Sequence, residues 1–141
     1  MRITRLLTCL ALSVAAVSWL LAEDRAAIKI VPLKQTSPAS GKEMFRAYCA
    51  VCHGMDGTGN GPAAAYLTIR PADLTRLAAV NSGKYPDLQV LQRLASKEAG
   101  HHENVGMPAW GGLLGSLNRW DPDIARHRAV NLTAFIKTIQ E

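Results

Sequence analysis

The chain has 141 residues, a formal net charge of +5 at pH 7 and 48% hydrophobic residues, a length that suits one domain. Its three cysteines include Cys9 inside an apolar N-terminal stretch. That leaves one close pair and excludes a disulfide-stapled scaffold. The basic residues are scattered and form no dense run, which speaks against nucleic acid and for acidic protein surfaces or anionic membranes.

Arg2 and Arg5 precede 17 uncharged residues, Leu6 to Ala22, and Glu23 and Asp24 follow. This is the layout of a secretory signal. Two outcomes stay open for residues 1–22. Ala16-Val17-Ser18 offers a small-x-small cleavage site, whereas residues 6–22 are just long enough to stay as a membrane anchor. Either way the positive end stays inside and the domain goes outside, to the periplasm or the outer face of the cytoplasmic membrane. Residues 23–39, with Pro32 and Pro38 flanking a polar stretch, read as a linker. The folded domain is expected over 40–141.

Ser40-Gly41-Lys42-Glu43 has the capping-box pattern of a helix start. Phe45, Tyr48, Cys49 and Cys52 then recur at i, i+3, i+4 and i+7, one stripe of an α-helix. Core packing is the preferred reading of Phe45 and Tyr48. Cys49-Ala50-Val51-Cys52-His53 is the C-x-x-C-H pattern of covalent haem attachment. Each thiol can add across one haem vinyl group, and the histidine that follows can ligate the iron. A zinc site is the rival. It needs four N or S ligands, for which His101 and His102 would have to serve. A thioredoxin-like dithiol expects a neighbouring βαβ unit, and no such pattern is present.

The run from Gly54 to Pro62 holds four glycines, which stop the helix and permit tight turns. No strand precedes it and no Gly-Lys-Ser/Thr follows, so a phosphate loop is excluded. Met55 is too close to His53 in sequence to reach the opposite face of a haem. A short turn or helix is expected over 63–68. A helix is expected from Pro71 to Val80, with Pro71 and Asp73 in its first turn and Asn81-Ser82-Gly83 at its end. Another starts at Tyr85-Pro86-Asp87, with Leu88, Leu91 and Leu94 or Ala95 as its apolar face and Gly100 closing it.

Met107 is followed by Pro108 and sits in a glycine-flanked loop, not on a helical stripe where a core methionine belongs. A thioether suits haem iron, and Met/His ligation raises the reduction potential. Met107 is therefore the expected sixth ligand, with His101, His102 and His127 as the alternatives. Residues 114–121 read as a polar insert of unassigned role. Asp121-Pro122 opens a last helix whose face carries Ala125, Ala129, Leu132, Phe135, Ile136 and Ile139. Phe135 is expected on the first helix. The sequon at Asn131-Leu132-Thr133 is discounted, because it lies mid-helix on the packed side.

With the Cys49–His53 motif and Met107-Pro108-Ala109-Trp110-Gly111 in view, residues 40–141 resemble a class I monohaem cytochrome c. Pro71-Ala72-Asp73-Leu74-Thr75 is similar to a segment of its bacterial members. The resemblance implies an all-α fold, with N- and C-terminal helices crossing over one covalently bound haem c per chain. It implies that Gly41 lets the last helix cross closely, that Phe135 is the aromatic partner of Phe45, and that the Pro62 carbonyl orients the His53 ring. Trp110 and Trp120 would pack in the core or on the haem. The implied function is an electron carrier, not an enzyme, with transient redox partners. The alternatives are a subunit of a respiratory or dehydrogenase complex, and a peroxidase-like or gas-sensing haem with a labile Met107.

Overall fold

The computed structural model describes residues 32–97, 107–119 and 121–141. Residues Leu33–Glu141 form one compact unit. It is all-helical, with no strand among the described residues. The expected signal or anchor over residues 1–22 lies outside them, as do Gly100, His101, His102 and Trp120. Among the described residues no helix is long and apolar enough to cross a membrane.

The first helical run starts where the sequence predicts. Ser40 is the N-cap, and its hydroxyl accepts from the Glu43 amide at 3.2 Å. The capping box is not closed on itself, however. Glu43 Oε2 accepts from the Ser37 amide, so it fastens the preceding segment. The run is also not a plain α-helix. It passes from α1 (Gly41–Met44) through a π-helical turn, Phe45–Cys49, to α2 (Ala50–His53). The Ala50 amide donates to the Phe45 carbonyl, five residues back. Such insertions cluster at functional sites, and this one ends on the first cysteine of the motif. Phe45, Tyr48 and Cys49 still face the core, while Cys52 is only half-buried.

Two single-turn 3₁₀ segments follow, Ala64–Tyr66 and Leu74–Arg76. The second runs into α3, Leu77–Val80. The helix expected from Pro71 thus begins later, because Asp73 acts as the cap. Its carboxylate accepts from the Thr75 amide at 2.9 Å and hydroxyl at 2.6 Å. Those two bonds, the hydroxyl's first, hold the Asp73 carboxyl below the usual carboxylate range. The next helix, α4, spans Asp87–Ala95. Its Leu94 is buried and Leu91 half-buried, but Leu88 is 66% exposed and leaves the expected apolar face.

Helix α5, Trp110–Ser116, and helix α6, Pro122–Thr138, complete the unit. Asp121 caps α6 and Pro122 opens it, as the sequence indicates. Helix α6 packs against α1, α4 and α5 and is the hub of the domain. Its crossing with α1 is close. A Cβ on Gly41 would fall on the Asn131 carbonyl oxygen and 2.8 Å from Phe135 Cβ. One turn on, the Phe45 and Phe135 rings meet at 5.2 Å and 50°, a tilted aromatic pair. We expect Gly41→Ala to push the two helices apart and cost about 2 kcal/mol, the usual scale of overpacking. A urea unfolding midpoint unchanged by this substitution would show that the crossing is loose. Asn131 Nδ2 donates to the Pro38 carbonyl at 2.8 Å, and Thr133 is buried, so the discounted sequon is engaged in packing.

Two expectations need correction. Residues 33–39 are bonded into the domain instead of trailing from it. Tyr48 Oη donates to the Lys34 carbonyl at 2.5 Å and shares a hydrogen bond with the Thr36 hydroxyl at 2.7 Å. Residues 114–121 are likewise not purely polar, since Leu114 and Leu117 lie in the core. Arg128, 1% exposed, links the two. Its Nε and Nη2 donate to Asn118 Oδ1, and Nη2 also donates to the Thr36 carbonyl at 2.9 Å. Nη1 donates to the Thr36 hydroxyl and faces Met44 Sδ. A buried charge is tolerated when all its donors find partners. Here the partners are neutral, and they splice three separate segments onto α6.

Candidate haem-binding site

The motif occupies the end of the first helical run, and the glycine loop is folded back onto it. Each of the last four carbonyls of the run accepts an amide. Ala50 takes Gly54 at 2.9 Å, Val51 takes Ala63 at 2.9 Å, Cys52 takes Gly61 at 3.0 Å and His53 takes Gly59 at 2.8 Å. The groups a helix end would leave orphaned therefore lock the loop in place. Gly54 breaks the helix with φ of 80°, a conformation suited to glycine. Gly59 is needed for space as well, because a Cβ there would strike the Pro71 carbonyl.

This stacking brings the 71–74 segment to His53. The His53 Nδ1 lies 2.9 Å from the Ala72 carbonyl oxygen. A carbonyl only accepts, so Nδ1 carries the proton and Nε2 keeps its lone pair. That is the tautomer a metal-ligating imidazole needs, and the carbonyl fixes the ring's orientation. The expected partner, the Pro62 carbonyl, does not have this role. Pro62 lies exposed between the Gly61 and Ala63 amides, both tied to the helix end. Ala72 was not legible as a site residue. The available hints were Pro71 before it and the capping Asp73 after it, which mark a constrained turn.

Cys49 and Cys52 are free thiols. Burial, with a smaller contribution from Cys52, pushes the Cys49 thiol up to about 12. Dithiol redox sites and zinc sites work through thiolates, favoured where the pKa is lowered. Cys49 has the opposite environment; His101 and His102, which the zinc reading needs, lie outside the described residues. Thioether formation, in contrast, consumes both thiols and needs an apolar surround for the porphyrin. The chemistry of these donors fits haem c.

Met107 is half-buried and packed against the core cluster. Its loop leads directly into α5, whose first residue, Trp110, is buried and lies 6.1 Å from the Tyr48 ring. Trp110 thus takes the core-packing role. The Gly111 amide donates to the Ser96 carbonyl at 2.8 Å, and a Cβ there would strike Ala95. The start of α5 is therefore fixed against the end of α4, which limits where Met107 can go. His127, the described alternative ligand, is exposed on α6, and Met55 is 64% exposed.

Residues 36–121 match the family model described as cytochrome c oxidase, cbb3-type, subunit III. Neither curated proteins nor solved structures gave a match. The matched span covers more than half of the chain and includes the cysteine–histidine turn, the 71–74 segment and the methionine loop. The chain therefore belongs to this family of c-type cytochromes, whose chemistry is electron transfer on covalently bound haem c.

Proposed function

We propose that the chain is an extracytoplasmic electron carrier of the class I type, with one haem c held by Cys49 and Cys52 and ligated by His53 and Met107. The observation that carries this reading is the His53 ring, whose Nδ1 proton is committed to Ala72 and whose Nε2 is left for iron. Bound haem supplies the one-electron couple. The chain's own residues do the rest. His53 is oriented by a backbone carbonyl, which favours a single ring angle in both oxidation states. The four amides that clamp residues 50–53 keep that ligand from moving. Met107 would supply bound haem with a soft thioether, which would favour the reduced state and leave no open position for outside ligands. Rigidity on both sides lowers reorganisation and so speeds transfer. The apolar N-terminus with its two arginines supports export.

A second reading is favoured by the family description, which names an oxidase subunit. In it the same domain serves as a permanent haem subunit of a respiratory complex, and co-purification from native membranes distinguishes it from a free carrier. The test of the common core is the reduced absorption spectrum with and without carbon monoxide. A haem c spectrum unchanged by carbon monoxide is expected. A shift would mean an open iron and favour the sensing or peroxidase-like alternative.

A further inference from the structure

We infer that Gln140, the penultimate residue, is a positioning residue for the axial imidazole, acting through the turn that presents the Ala72 carbonyl. The inference rests on the reading of His53 as an iron ligand. Gln140 lies just beyond α6, and its amide reaches 66 residues back in the chain to the 71–78 segment. Its Nε2 donates to the Leu74 carbonyl at 2.7 Å and to the Ile136 carbonyl at 2.8 Å. Its Oε1 accepts from the Ala78 amide at 2.9 Å. That amide sits in the first turn of α3, where no intrahelical partner exists. Gln140 therefore caps α3 from a distance and grips the 3₁₀ turn before it.

The grip bears on Ala72 because the same turn is held from the other side. The Leu74 amide donates to the Gly57 carbonyl at 2.7 Å, so Leu74 is fixed by its N–H to the glycine loop and by its C=O to Gln140. Asp73 closes on Thr75, leaving little freedom in the two peptide units after Ala72. The neighbouring C-terminal residues strengthen the clamp. The Glu141 amide donates to the Thr75 carbonyl at 2.9 Å. Ile139 Cδ1 covers Gly57, 2.7 Å from where a Cβ would stand. The end of α6 thus backs the turn whose carbonyl holds His53 Nδ1. Freeing that turn would weaken one hydrogen bond to the imidazole, which would then give less electron density to a bound ferric iron.

The experiment compares wild-type holoprotein with Gln140→Met, which keeps the bulk and removes all three bonds. Thr138→Ala is the control. It deletes a bond at the end of α6, from the Thr138 hydroxyl to the Phe135 carbonyl, without touching the turn. In the reduced state, proton NMR follows solvent exchange of the His53 Nδ1 proton, and voltammetry gives the reduction potential. Gln140→Met is expected to speed exchange about tenfold, the scale of one hydrogen bond, and to raise the potential. Thr138→Ala is expected to change neither. Unchanged exchange and potential in Gln140→Met, with haem content and spectrum intact, would reduce Gln140 to a C-terminal staple and overturn the inference. Equal changes in both variants would overturn it too, as general loosening of α6. A wild-type protein without covalent haem would fail at the first step and remove the underlying reading as well.

Discussion

Replacing Met107 with alanine is expected to lower the reduction potential by a large share of the span of about 0.8 V that axial ligands set and to let carbon monoxide bind the reduced protein. Met/His ligation lies on the high side of that span because the thioether favours ferrous iron. The fold should survive the change. Met107 is only half-buried, and the helix after it is held by other contacts: Trp110 on Tyr48 and Gly111 on Ser96. The substitution therefore tests ligation more than stability. Voltammetry and the carbon monoxide difference spectrum read the two effects separately. If both stay at wild-type values, one of the histidines is the sixth ligand and the loop has a different role.

Cys52→Ala is expected to leave little or no correctly matured protein. One thioether would be lost, and the remaining motif cysteine, Cys49, sits 7% exposed in the core. Cys52 is the more accessible of the two. Its loss should thus hurt haem incorporation more than its share of bonds. Haem yield per chain, measured by the pyridine haemochrome spectrum after export, provides the check. A yield equal to wild type would mean that Cys52 is not an attachment site.

The parts of this fold legible in the sequence are those written locally or with helical period. Ser40 and Asp121-Pro122 announce helix starts because a side-chain oxygen satisfies amides two or three residues on. Phe45 and Phe135 could be paired because each lies on an apolar stripe and the resemblance supplied the crossing. What escaped is held together by long-range bonds. Arg128 reads as one more surface charge until its partners Thr36, 92 residues earlier, and Asn118 are known. That single guanidinium ties both Thr36, in the segment before the first helix, and Asn118, in the 114–121 stretch, to the last helix. The π turn at Phe45–Cys49 leaves the apolar spacing intact, so periodicity could not reveal it. Ala72 escaped because it contributes only a backbone carbonyl. Side-chain chemistry identified the ligand, and only the loop geometry identified what orients it.

The covalent link at Cys49 and Cys52 is the claim on which ligation, potential and carrier role all depend. The most direct test is the mass of the intact, acid-denatured protein after export in a haem-maturing host, followed by mass analysis of the tryptic peptide that starts at Ala47 and carries both Cys49 and Cys52. The account predicts a chain heavier by one haem, with that haem retained on the cysteine-containing peptide after denaturation. A chain of unmodified mass, or haem released on denaturation, would contradict it.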